Sequence, residues 1–302
     1  MARRLFAVSL VCLFALTNTP GSAESRDRSC GPGHALRVAA RGHEPYAPDA
    51  AEIDRMMTDF RRRLADRRRP DRDRPRRRAA ITVPVYVHVM TAGGVGATDQ
   101  AVRQQITTLN NAYGGALGGT DTGVRFRLGG ITRTENPDWF HRALDHEEAM
   151  KRALRRGGPE TLNLYVAELG ELVIGYSTYP HQYAAAPILD GVVIDWRTLP
   201  GGALPHFDRG LTGVHEIGHW LGLLHTFENG CEEPGDHIDD TPPERVATQG
   251  CPEDKDTCPA PGKDPVHNFM DYSYDRCMTH FTAGQATRIR QMWEAYRRPS
   301  QA

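Results

Sequence analysis

Three histidines, one glutamate and one glycine recur at fixed intervals in the run HEIGHWLGLLH from His215 to His225, and their types and spacing suit a divalent metal ion. On a helix, residues four apart lie one above the other, so His215 and His219 present two imidazole nitrogens to one point while Glu216 sits beside them. Gly222 follows three residues after His219 and can take a positive φ without a Cβ clash, which lets the chain turn sharply and return His225 as a third ligand. Three protein ligands with one open position describe a catalytic zinc; a structural zinc is closed by a fourth protein ligand. Zinc lowers the pKa of a bound water from about 16 to roughly 7, and a carboxylate next to the first ligand is placed to take that proton and pass it to a leaving amine. Glu216 is the expected general base. A lone histidine here would read as an ordinary surface or core residue; three at these intervals, with Glu216 and Gly222, do not.

A second segment agrees with the first. Met270 lies 45 residues beyond His225, in Asn268-Phe269-Met270-Asp271-Tyr272, and Tyr272 follows it by two positions. The pattern HExxHxxGxxH followed by such a Met-turn is the metzincin signature. Within that group of metallopeptidases the chain resembles the pappalysin family, and especially its short secreted microbial members of the ulilysin type. The likeness is carried by HEIGHWLGLLHTF at 215 to 227, GDHIDDTP at 235 to 242, DPVHNFMDYS at 264 to 273 and FTAGQ at 281 to 285. It covers most of residues 80 to 296 and is densest from Gly191 onward. Leu211 and Gly213 depart from it, where the family would carry Arg and Thr or Val; this touches the start of the zinc helix, not the ligands. The resemblance implies that Met270 forms an apolar floor beneath the metal. It also implies that Tyr272 reaches the metal or donates a hydrogen bond to the oxyanion that develops during attack.

Composition bounds the remainder. The 302 residues, 39% hydrophobic and 25% charged, suit a soluble globular protein of one or two domains. The net charge of −1 conceals an asymmetry: residues 1 to 78 hold 18 Lys+Arg against 10 Asp+Glu, and residues 79 to 302 hold 19 against 28. Arg3 and Arg4 precede an apolar run from Leu5 to Leu16, and Gly21-Ser22-Ala23 offers small residues for cleavage, so residues 1–23 read as a signal peptide. That run is too short to span a bilayer, which needs about 20 residues, and nothing later is long enough; a secreted, extracellular protein with no membrane span is expected. Residues 24–78 read as a propeptide. Its stretch from 61 to 78 holds 11 arginines and two prolines and is expected to be a solvated linker with no buried element, cut most simply after Arg78. Polybasic runs elsewhere bind nucleic acid, but no aromatic residue interleaves here, so no nucleic-acid partner is expected. Residues 79–302 form the expected catalytic domain.

Six cysteines are present, and Cys12 would leave with the signal peptide. Four of the other five lie between Cys231 and Cys277, where two disulfides suit an oxidising compartment; spacing alone leaves three pairings open. The resemblance favours Cys231 with Cys258 and Cys251 with Cys277. Cys30 is the odd thiol, in the propeptide. Thiolate ligates zinc well, and a cysteine switch like that of the family would place Cys30 on the open position to hold a zymogen inactive. The resemblance also implies a structural Ca²⁺ near the acidic loop of Asp236, Asp239, Asp240 and Thr241, whose hard oxygens suit that ion, although an exposed acidic turn would look the same. Asp275, just past the Met-turn, stands where ulilysin-type enzymes carry the acidic group that attracts a basic side chain.

The elements that must position these residues are legible in part. Strands are predicted at 81–90, 124–131, 162–167 and 190–195, with an edge strand near Leu172 to Tyr179. Helices are predicted at 99–113, 215–221 and 281–296. The expected fold is α+β, a metzincin-type zincin domain. A twisted mixed sheet and the active-site helix form its upper subdomain, and a loop-rich lower subdomain ends in a C-terminal helix. The expected function is that of a secreted zinc endopeptidase made as a latent zymogen, a monomer acting on protein or peptide substrates with a preference for basic residues at the cleavage site. A non-catalytic zinc-containing binding or adhesion module on the same fold is the alternative, and a zinc amidase acting on cell-wall peptides is a third. Glu216 argues against the module, which has no use for a base at that position; the Met-turn and Gly222 argue against the amidase.

Overall fold

The computed structural model describes residues 44–68, 80–170 and 173–299. In chain order its elements are α1 (Ala50–Arg68), β1 (Ile81–Thr91), α2 (Asp99–Tyr113), β2 (Val124–Glu135), α3 (Pro137–His141), α4 (Glu147–Leu154), β3 (Leu162–Ala167), β4 (Gly175–Ser177), β5 (Val192–Asp195), α5 (Leu211–Trp220) and α6 (Ala283–Met292). The signal segment, Cys30 and positions 69–79 lie outside the described residues.

The strands form one sheet in the order β2-β1-β3-β5-β4; β4 runs antiparallel to β5 and the other pairs are parallel. Side chains alternate across a strand, and that period sorts the core into two layers. Val83, Val85, Val87 and Val89 of β1, Leu164 and Val166 of β3, and Val192 and Ile194 of β5 share a core with residues of α2 and α5. Met90, Tyr165, Ala167 and Val193 point the other way, toward Phe140 of α3 and Met150 of α4. A parallel strand covered on both faces reads as a nearly continuous apolar run, and all six residues of β3 are buried. Its one polar member, Asn163, accepts from His88 Nε2 at 3.0 Å and exchanges bonds with the Arg156 backbone at 2.8 and 2.9 Å. Burial holds His88 down at about 4, so it is a neutral core residue.

All ten residues of α5 are buried, as befits a helix apolar around most of its circumference. It packs on α2, β4 and β5. Beyond it, residues 221–282 contain no named helix or strand and are cross-linked by Cys231–Cys258 and Cys251–Cys277, the pairing that the resemblance favoured. Thr282 caps α6, accepting from Gln285 N at 3.1 Å while the Gln285 side chain accepts from Thr282 N at 2.9 Å.

Several expectations need correction. Residues 61–68 are not linker but the second half of α1, which buries Ile53, Met56, Met57 and Phe60 and leaves its arginines outside. The spacing i, i+3, i+4, i+7 of those four residues is a helical stripe, hidden in a stretch whose arginine content dominates its average. The short helices α3 and α4 were not anticipated. β2 runs on to Glu135, the edge strand shrinks to Gly175–Ser177, and β5 starts at Val192 because Asp190 turns inward. The zinc helix starts at Leu211 and stops at Trp220; α6 stops at Met292 and passes into a π-helical turn, Trp293–Arg297.

Asp190 closes the structure from behind. Its carboxylate accepts from both Arg297 terminal nitrogens at 3.1 and 3.3 Å and from Trp220 Nε1 at 3.2 Å, and the guanidinium lies 3.5 Å from the Trp220 ring centre. Asp190→Ala leaves a buried cation unpaired, and urea denaturation is expected to show a loss of about 3–5 kcal/mol; a loss below about 1 kcal/mol would mean that the pair is dispensable.

Candidate active site

The helical interval places His215 and His219 on one face of α5. Gly222, at φ +92°, turns the chain back so that His225 completes the set. The Nε2 atom of His219 lies 3.1 Å from that of His215 and 3.1 Å from that of His225. Two of the rings are fixed from behind: His215 Nδ1 donates to Phe269 O at 2.7 Å, and His219 Nδ1 to Leu223 O at 2.8 Å, with the Tyr179 hydroxyl also 2.8 Å away. His225 stacks on Phe227, ring centres 4.6 Å apart. Donation from Nδ1 leaves a lone pair on Nε2. Neutral nitrogens aimed at one point and this close together repel unless a cation lies between them, so the residues fit a zinc ion.

Met270 lies against the underside of this helix: a Cβ built on Gly218 would meet Met270 Sδ at 2.4 Å, and only glycine leaves that room. Asn268, at the head of the same turn, exchanges two side-chain hydrogen bonds of 2.9 Å with Gln285, which ties the Met-turn to the start of α6. Tyr272 Oη lies 3.1 Å from His225 Nε2, at the mouth of the cluster. Glu216 is buried, and its Oε2 has no hydrogen-bond partner among the described residues. Burial first, and then the nearby charge of Glu44, push the Glu216 carboxyl well above the usual carboxylate range.

Glu44 was not anticipated. Its carboxylate faces all three imidazoles, Oε1 at 3.1 Å from His225 Nε2 and 3.5 Å from His215 Nε2, and Oε2 at 3.4 Å from His219 Nε2. These four residues form the metal-competent cluster found among the described residues. Cys30, expected at that position, lies outside the described residues. Nothing in the sequence marks Glu44: it is one acidic residue in a basic leader.

Beside the cluster opens a cavity of about 50 Å³ whose lining includes Ile174, Phe207, Leu211, Met278, Glu216 and Asp275. Asp275 is buried and accepts from Arg209 N at 2.7 Å; burial pushes it up to about 7. The acidic loop is divided. Asp240 accepts from Thr282 Oγ1 and Gly284 N at 2.7 and 2.8 Å, capping α6, and Asp239 is exposed. Asp236 is buried beside the Thr241 hydroxyl, and burial pushes its carboxyl up to about 7.

Residues 175–294 match the family described as Pregnancy-associated plasma protein-A. The chain is 42% identical over 300 residues to an extracellular metalloprotease of Uncinocarpus reesii, covering 96% of this chain and 98% of that protein. It is 43% identical over 229 residues to one from Neurospora crassa, covering 72% and 77%. Mature mirolysin of Tannerella forsythia, solved with a cleaved peptide, aligns with a TM-score of 0.62 at 28% identity over 72% of this chain and 96% of that one. A promirolysin variant aligns with a TM-score of 0.68 at 26% identity over 82% and 90%. Fold and site together define an extracellular zinc metalloprotease with a metzincin-type catalytic domain. The chain belongs to the pappalysin family.

Removing a group that orients a metal-bound imidazole typically weakens metal binding about 10–100-fold. Tyr179→Phe leaves the Leu223 carbonyl in place, so a loss of about tenfold is expected in a titration against a chelating dye; unchanged affinity would show that Leu223 suffices.

Proposed function

We propose that the protein is a zinc endopeptidase exported as an inactive precursor, with residues 1–23 as signal, 24–78 as propeptide and 79–302 as the protease. The observation that supports it most is Glu216: a buried carboxylate with an unpartnered oxygen, one residue from the first ligand and open to the cavity. Zinc held by His215, His219 and His225 would supply a Lewis acid that polarises the scissile carbonyl. Glu216 then takes the proton of the attacking water and delivers it to the leaving amine. Tyr272 directs its hydroxyl at the developing oxyanion. Substrate lies along the sheet edge at β4. The buried Asp236 carboxyl, raised by desolvation and facing the Thr241 hydroxyl, supports a structural calcium in that loop, while Asp240 is already engaged at α6.

The cavity supports a preference for arginine or lysine on the leaving side. Apolar walls suit a long aliphatic stem, and the Asp275 carboxylate suits its cationic end.

General bases contribute about 10²–10⁴-fold, so Glu216→Gln is expected to lower kcat by that factor in a peptide assay while one zinc per chain remains bound. A variant that keeps full activity would remove Glu216 from the reaction.

The titration of Asp275 sets a pH dependence. With a carboxyl near 7, it is neutral below that pH and anionic above it. Selectivity for arginine over leucine at the position after the cut is expected to rise between about pH 6 and about pH 8, and to become flat in Asp275→Asn. Competition between the two peptides reads it directly; equal selectivity of parent and variant would exclude Asp275 as the determinant.

A further inference from the structure

We infer that Glu44 is the residue that keeps the precursor inactive, its carboxylate filling the fourth position around the metal; this rests on the zinc-protease reading above. Ligand atoms about 2.0–2.1 Å from a tetrahedral zinc lie about 3.3–3.4 Å from one another. His219 Nε2 lies 3.1 Å from the Nε2 atoms of both His215 and His225, the nearest Glu44 oxygens lie 3.1, 3.4 and 3.5 Å from the Nε2 atoms of His225, His219 and His215, and one ligand atom from each of the four residues lies within 4.8 Å of the others. Four groups therefore sit at the corners of one coordination shell, and one of the four comes from the leader. A carboxylate oxygen is an ordinary zinc ligand, and it takes the corner from which water must attack.

Glu44 also engages the second catalytic group. Tyr272 Oη donates to Glu44 Oε1 at 2.9 Å, so the hydroxyl assigned to the oxyanion is occupied as well.

Two anchors hold the segment in place. Tyr46, two residues on, donates its hydroxyl to Glu147, and its ring lies 6.1 Å from that of Tyr176 in β4. Glu147 is itself paired with the fully buried Lys151 at 2.6 Å. Further along, Ile53, Met56, Met57 and Phe60 of α1 pack on Tyr179, Leu224, Met292 and Ala295. Tyr179 touches His219, and Leu224 precedes His225. The leader thus grips the residues that orient the ligands, and inserts the Glu44 carboxylate between them.

The test uses the full-length precursor with Glu216→Ala added to stop self-cleavage, loaded with Co²⁺ in place of zinc. Visible absorption reports the coordination shell, and calorimetry with acetohydroxamate reports whether the fourth position is open. Glu44→Ala and the isosteric Glu44→Gln are each compared with Cys30→Ala. The expected result is a changed cobalt spectrum and at least tenfold tighter hydroxamate binding in both Glu44 variants, with Cys30→Ala like the parent. Opening by Cys30→Ala, with the Glu44 variants unchanged, would overturn the assignment and return the role to the thiol. Failure of every protein, parent included, to bind cobalt would overturn the metal site itself and this inference with it.

Discussion

Three imidazole nitrogens held about one ligand diameter apart are the constraint that the rest of this structure serves. Such a grouping is unfavourable without a cation, so each ring needs a restraint that does not come from its neighbours in the cluster. The Phe269 carbonyl fixes His215, the Leu223 carbonyl and the Tyr179 hydroxyl fix His219, and the Phe227 ring supports His225. These partners come from three separate stretches of chain. Most of the fold exists, in this sense, to bring those stretches to one helix and to bury that helix completely.

Several buried polar groups of the framework are matched to one another: Arg297 meets Asp190 and the Trp220 carbonyl, His88 meets Thr132 and Asn163, and Asn268 meets Gln285. An unmatched buried polar atom costs about 1–3 kcal/mol, so each such pairing is required for stability. At the cavity, Glu216 keeps an oxygen without a partner among the described residues, and Asp275 is a buried carboxylate raised by desolvation. Incomplete satisfaction where a pocket opens is a physical mark of groups that meet something other than the protein.

Much of the sheet and the centre of the site was legible. Val83 to Val89 alternate strictly and Val102, Ile106 and Leu109 follow a helical period, so β1 and α2 were placed to within a residue or two. α1 was missed because eight residues that look like solvated linker continue a helix whose narrow apolar stripe is masked by arginines on its outer face. α3 and α4 are too short to set up a period, and each fully buries one large apolar side chain, Phe140 and Met150, with Trp139 and Leu154 packed beside them. The π-helical turn after Met292 has no local signature either; it places Arg297 against Asp190, which is a long-range requirement.

The sequence by itself determined that His215, His219 and His225 could converge on one point beside Glu216, with Gly222 turning the chain, because helical geometry fixes what residues three and four apart can reach. A Met-turn containing Met270 and Tyr272 was likewise readable, through resemblance. Only tertiary structure decided which groups orient the imidazoles, where Asp275 opens into the cavity, and which residue completes the metal shell. Glu44 and His225 are separated by 181 positions, and no periodicity operates over that span; their meeting depends on Tyr46 and the stripe of α1 finding surfaces that exist only after the sheet, α5 and α6 have packed.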